Sequence, residues 1–485
     1  MKPNHALNEL AEGKLGPLLL KYSWPALIAM TLNALYSVVD RVFIGQGCGV
    51  DAMAGLQLAM PVMMLFGAFG VFIGAGHSAV LSLKLGEGDR TTCEKIVGQL
   101  VAYKLAFFLV LPPLVFFNLD TVLSWCGANK VTPGAYAAAK EYLRLVLFSH
   151  LFSHLAFGLS ALVRAEGGAI KSMNSMIIGF GVNLVLDPIF IFGFNFSLFT
   201  IHFSLSPMGI AGAAWATNIA MFLSCVWALK YYLKHETIVR LKWRRIRFYP
   251  GLILRPAMIG LSPFLQQLMS SVIVAALAYA FAYWMPDESS RTDHIASLGV
   301  FNAALILVFM PMLGCQQGLQ PIFGYNWGAR NFRRVLGTFK TGFWVTTVLC
   351  IWAWVVQVVP PFPEWIARLF VSGDNERLIK LCAHDLALSN CMIWCISINV
   401  LATTFFQSIG KPSIAIFLSM LRQGVVLLPI IILLPFFMED KATAIWLSMP
   451  FSDVICNVVT IVPVYLYVRF LRKIKSRIVA KQDLV

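Results

Sequence analysis

Twelve apolar runs, each long enough to cross about 30 Å of hydrocarbon as a helix, recur along this 485-residue chain. They fall at 17–45, 54–83, 97–119, 141–163, 172–194, 209–233, 254–285, 295–326, 340–361, 383–409, 412–437 and 443–471. Lipid offers no partner to an exposed N–H or C=O, so a spanning segment must satisfy its own backbone, and runs of this length do so as α-helices. The expected fold class is therefore all-α integral membrane, with twelve transmembrane helices. Only 13% of residues are charged and 59% are hydrophobic, against roughly 25% charged in a soluble domain. The first fifteen residues are polar and lack the short apolar core of a signal peptide, so the first span is expected to act as its own insertion signal.

The net charge of +15 does not indicate a nucleic-acid partner. The basic residues cluster at span ends and in alternate loops, which is the positive-inside pattern. The most basic segment, KYYLKHETIVRLKWRRIRFYPGLILR (230–255), joins spans six and seven and is expected in the cytoplasm as a topology anchor. Both termini then fall inside a multi-pass cell (plasma) membrane protein. The ten cysteines are scattered. Cys391 and Cys395 share one helix face, which is neither a zinc nor a redox spacing.

The two halves repeat. KLGEGDRTTCEKIVG (84–98) after span two corresponds to NWGARNFRRVLGTF (326–339) after span eight, and RAEGGAIKS (164–172) to QSIGKPSIA (407–415). Pro188 in span five corresponds to Pro429 in span eleven. All three pairs are about 241–242 positions apart. Six spans per half, an even number, make the repeats parallel, as in duplicated transporters. The expected division is an N-terminal lobe at 1–233, a basic linker at 234–253 and a C-terminal lobe at 254–485. A single-bundle enzyme has no need of this doubling, and no nucleophile–base constellation is present, so no enzymatic activity is expected.

The chain resembles the multidrug and toxic compound extrusion (MATE) transporters. The resemblance rests on GPLLLKYSWPALIAMTLNALYSVVDRVFIG (16–45), RAEGG (164–168), SIGKP (408–412), GVNLVLDPIF (181–190) and GIAGAAWAT (209–217). It implies two pseudo-symmetric six-helix lobes around a central cleft, and cation-coupled export of amphiphilic, often cationic compounds. Within the family the chain is similar to the DinF-like branch, whose N-lobe acidic cluster is matched at Asp40, Asn183, Asp187, Tyr142 and Thr217. Pro25 matches the proline that kinks the first helix. The NorM-like branch uses an acid in span seven, where this chain has Gln266, Gln267, Tyr279 and Tyr283.

The cluster also stands on physical grounds. Asp40 and Asp187 lie in spanning sequence, where a charge costs about 2.5–3.5 kcal/mol on insertion scales. Asn183 and Asp187 are four apart and share a helix face. At about 1.5 Å per residue, Asp40, Asp187 and Thr217 reach similar depths in the outer half of the N-lobe, with Tyr142 at the outer mouth of span four. Two desolvated carboxylates cannot both stay ionised without a cation. The pocket is expected to hold a proton, or Na⁺ on the oxygens of Asp40, Asn183, Asp187 and Thr217, with no other cofactor. Pro188 and Pro25 each delete a helical hydrogen bond and are candidate hinges.

Among other polar residues in the spans, His150 and His154 have a metal-compatible spacing but no companion ligand, and are expected to pack or to line the cleft. The C-lobe acids Asp385 and Asp453 are candidates for cleft lining or for structural pairing. The expected partners are lipophilic cations and membrane lipid, with the protein a monomer. The alternative reading is a flippase for a lipid-linked precursor or polysaccharide. The twelve-span count and the acidic interior disfavour it.

Overall fold

A computed structural model of the chain describes residues 3–127, 131–198, 201–233, 237–371 and 375–482. Among these, eleven helices are long and apolar enough to cross a membrane: Leu15–Gly49, Asp51–Gly86, Arg90–Phe117, Pro133–Ala165, Ala169–Phe192, Gly209–Leu233, Pro250–Trp284, Glu288–Gly328, Phe332–Val358, Pro412–Phe437 and Lys441–Lys473. The tenth crossing is broken. Glu376–Asn390 and Ile393–Ser408 pass the same test only together, bent by 40°. The Cys391 carbonyl at the break accepts from the Trp354 indole at 2.9 Å. Cys391 and Cys395 therefore sit at a helix break and a short 3₁₀ turn, not on one continuous helix face as expected.

The expectation of an all-helical chain needs one amendment. Phe194–Leu198 and Ile201–Leu205, between spans five and six, form an antiparallel hairpin.

The repeat is visible in local geometry. Asp89 and Asn331 cap spans three and nine, each accepting from the backbone N–H three residues on. The residue before each cap is left-handed: Gly88 at φ 76° and Arg330 at φ 57°. Such a φ is cheap for glycine and costs strain elsewhere, so the second half holds this turn against the preference of its residue.

Two compact units emerge, one of Met1–Glu9 with Ile28–Gly260, the other of Leu10–Leu27 with Leu261–Val485. This division differs from the one expected at 1–233 and 254–485. The start of span one, through Pro25, groups with the second unit. Ser23 and Leu27 there are met at van der Waals distance by the span-eight glycines Gly318 and Gly314.

In the first unit, spans five and six pack through small residues, as helices in lipid do when backbones approach closely. Ser224 Oγ donates to the Ser175 carbonyl at 2.7 Å, and Ser175 Oγ to that of Ser224 at 3.1 Å. Linker residues 234–236 lie outside the described residues. The rest of the linker docks on the first unit. Lys242 pairs with Glu94 at 2.7 Å, and the buried Glu166 accepts from the N–H groups of Ile238 and Val239.

Candidate functional site

The first unit brings the predicted acidic cluster together. Asn183, Asp187, Thr217, Tyr142 and Asp40 are all buried. Asn183 Nδ2 donates to Asp187 Oδ1 at 3.1 Å and to Thr217 Oγ1 at 3.3 Å. The carboxyls of Asp40 and Asp187 lie close enough to act on each other electrostatically. Tyr142 lies within electrostatic reach of both. Four spans therefore contribute: one, four, five and six.

Each residue's place follows from its helix. The i, i+4 spacing stacks Asn183 over Asp187 on one face of span five, and that face is turned inward, since both are buried while Leu184 and Val185 are exposed. Pro188 follows immediately inside the helix, so the carbonyl it would have bonded loses its partner next to the carboxyl. Span one is continuously helical through Pro25, and its first non-helical residue is Gly49 at φ 80°, where the chain turns into span two.

Asp40 forms no ion pair among the described residues. The adjacent Arg41 acts on it electrostatically, but its Nη2 approaches the Met60 sulfur at 3.9 Å. Asp40 Oδ1 and Asn183 Oδ1 are buried without hydrogen-bond partners. Unpaired buried oxygens are costly, and a pocket that keeps two of them can receive a proton donor or a small hard cation.

Tyr36 belongs to the cluster and was not singled out in the sequence. Its hydroxyl is set close to Thr217 and within electrostatic reach of both carboxyls, and its ring stacks on Phe180 at 5.6 Å. It sits four residues before Asp40, the same spacing that links Asn183 to Asp187, and that signal would have found it.

The other sequence candidates separate from this cluster. His150 and His154 are buried inside the lobe, not on an open wall. Their rings stack on Phe66 and Phe107, and no group of three metal-ligating side chains exists among the described residues. Near His154 lies an unanticipated buried lysine. Lys104 Nζ donates to the Gly70 carbonyl at 2.8 Å, and His154 abuts the same glycine.

In the second unit Asp453 is likewise buried and does not line an open surface. It accepts from Arg422 Nε at 2.8 Å. Arg422 lies in the π-helical turn Leu421–Leu427, and its displaced carbonyl accepts from Ser452 Oγ at 2.9 Å. Asp385 accepts from Ser297 Oγ at 2.7 Å and meets His294 Nδ1 at 3.2 Å. It borders a cavity of about 530 Å³ that Trp284 also lines. Gln266, Gln267 and Tyr279 are exposed on span seven.

A duplicated helical fold with eleven spans, or twelve with the bent pair counted as one, is that of a membrane transporter by class. The family is shown directly: the MatE model matches residues 25–189 and 265–433, and the chain belongs to that family. It is similar to the multidrug export protein MepA of Staphylococcus aureus (strain NCTC 8325 / PS 47), 23% identical over 453 residues, covering 92% of this chain and 93% of that protein. MepA of Staphylococcus haemolyticus (strain JCSC1435) is 22% identical, with 92% of each chain covered.

The fold matches a crystal structure of MATE in complex with MaL6 at a TM-score of 0.85 and 20% identity, over 96% of this chain and 99% of that one. It also matches an outward-facing multidrug resistance MATE family transporter of the MOP superfamily at a TM-score of 0.84 and 19% identity, over 96% and 98%. The chain is thus a multi-span membrane protein of a multidrug efflux transporter family.

Proposed function

We propose that this protein is a cation-coupled antiporter that exports amphiphilic, cationic organic compounds from the cell, with both termini in the cytoplasm. The observation that carries this reading is the neighbouring Asp40–Asp187 carboxyl pair, buried and, among the described residues, in no ion pair. Two carboxyl groups in contact need a shared cation. A proton shared by two neighbouring buried carboxyls meets that need and is the preferred coupling ion. Na⁺ is the second reading, favoured by the unpaired oxygens of Asp40 and Asn183, which with Asp187 and Thr217 would supply hard ligands.

In the proposed cycle the ionised pocket favours a cationic substrate. A proton or Na⁺ arriving from outside neutralises the pair, and the substrate is released outward. Pro25 and Pro188 are the bending points through which spans one and five respond. The N-lobe cluster is assigned to the DinF-like pattern on these residues. A monomer suffices, because the pocket is complete within one unit.

The experiment is substrate flux in proteoliposomes under separately imposed pH and Na⁺ gradients. Coupling predicts that dissipating one gradient abolishes uphill flux. Flux indifferent to both gradients would return the flippase reading.

A further inference from the structure

Span twelve (Lys441–Lys473) and the second half of span ten border a groove of about 360 Å³. Its floor is apolar, made by Ile398, Ile461, Val464 and Val468. Its end toward the C-terminus carries Arg469 and Arg472, three apart and so neighbours on one helix face. From Ile461 to Arg472 the helix rises about 16 Å, close to the ~15 Å of one leaflet's hydrocarbon.

Other arginines of the second unit have acidic partners. Arg422 is paired with Asp453, and Arg368 with Glu376. Neither Arg469 nor Arg472 has an ion-pair partner among the described residues. The flanking surface is strongly apolar and uncovered, with Val462 58%, Tyr465 60% and Leu466 58% exposed. Two uncommitted guanidinium groups above an apolar trough match an amphiphile with an anionic head and an acyl tail. A free anion would use the arginines and leave the trough idle.

We propose that this groove is a binding site for an anionic phospholipid of the leaflet at the C-terminal end of span twelve, its phosphate on Arg469 and Arg472 and one acyl chain along Ile461–Val468. Guanidinium groups recognise phosphate oxygens in a forked geometry that a zwitterionic lipid's own amine competes for. The site lies within the second unit, apart from the Asp40–Asp187 pocket, and does not depend on the transport reading.

The test is native mass spectrometry of the full-length protein in detergent, titrated with phosphatidylglycerol or with phosphatidylcholine of the same chains. Phosphatidylglycerol should be retained preferentially. Arg469→Gln and Arg472→Gln should each weaken it about fivefold and together about 25-fold, from the usual gain per basic residue at an anionic surface. Ile461→Trp fills the trough, leaves both arginines and should weaken the lipid as well. The substitutions are on the lipid-facing surface, and an unchanged melting temperature checks the fold. Equal retention of the two lipids overturns the proposal, as does an unaffected double variant. Inorganic phosphate competing as well as the lipid overturns it too, by making the ligand a free anion.

Discussion

The two halves share a backbone plan and differ in what they do with buried charge. Counted on by 241 positions, Asn183 and Asp187 become Gly424 and Leu428, and Asp40 becomes Phe281. Phe281 is fully buried, stacks on His294 and meets Trp446 at a tilt of 47°. The C-lobe does contain buried acids, but each has a protein partner: Arg422 for Asp453, and Ser297 with His294 for Asp385. In the N-lobe cluster the two carboxyls have amide and hydroxyl neighbours (Asn183, Thr217, Tyr142 and Tyr36) but, among the described residues, no ion pair. A carboxylate whose counter-charge is built into the chain has nothing to exchange. One that lacks a counter-charge must take it from a mobile ion, and that difference is why the proposal places coupling in the N-lobe.

The sharpest break of that comparison is in the acids themselves. Asp187→Asn and Asp40→Asn should each reduce gradient-driven efflux to the level of empty vesicles, while Asp385→Asn keeps transport, measured as substrate flux in proteoliposomes. Full activity in either N-lobe variant, with loss in the C-lobe one, would reverse the assignment. The next largest effect is on stability. Arg422→Gln leaves Asp453 buried without its cation, which costs about 3–5 kcal/mol in comparable buried pairs. Thermal unfolding in detergent should show a large drop that the double change Arg422→Met with Asp453→Leu recovers. No such recovery is possible at Asp40 and Asp187 if their charge is what moves the ion.

Spans, duplication and the acidic cluster were legible because each leaves a one-dimensional trace. Apolar runs have a length, repeats have an offset, and i, i+4 polar pairs have a face. Asn183 and Asp187 needed nothing more. Other features were not legible because they depend on three-dimensional neighbours. The break in span ten is set by a short 3₁₀ turn that Trp354 satisfies from another helix. The transfer of residues 10–27 to the second unit depends on which glycines meet Ser23 and Leu27. Arg422 reads as an isolated cation in span eleven until Asp453, 31 residues away, is seen beside it. Lys104 likewise gave no pattern, since its partner is a backbone carbonyl.

A third contrast lies in the loops after spans four and ten. Glu166 and Ile409 occupy the same C-cap position of the repeat. Ile409 is simply buried, whereas Glu166 accepts from Tyr232 Oη at 3.1 Å and from the linker amides of Ile238 and Val239. Burial pushes the Glu166 carboxyl up to about 8, against those hydrogen bonds, which pull it down. The folded pKa lies above the unfolded one, so its stabilisation is complete below about pH 4.5 and is lost as pH rises through about 8. Glu166→Gln should flatten that part of the stability–pH curve while keeping an acceptor for the linker. Glu166→Ala should cost about 1–3 kcal/mol, the desolvation of the orphaned donors. A curve in Glu166→Gln that still falls across this window would place the titration elsewhere.

The smallest expected effect is the most specific. Tyr36 counts on to Leu277, a buried apolar residue of the C-lobe, so its hydroxyl is a feature the second half lacks. Tyr36→Phe keeps the ring stacked on Phe180 and removes only the hydroxyl set beside Thr217, with any hydrogen bond it makes there. Thr217 still receives Asn183 Nδ2, so the pocket should hold its shape with one oxygen less firmly oriented. A neutral hydrogen bond contributes about 1 kcal/mol net, which is about fivefold in an equilibrium constant. The expected outcome is a shift of that size in the cation concentration for half-maximal flux, with maximal flux retained. A loss of maximal flux instead would make Tyr36 part of the moving ion's path, not a brace for Thr217. An unchanged midpoint would mean that Thr217 is oriented by Asn183 alone, and the cluster would shrink to the residues visible in the sequence.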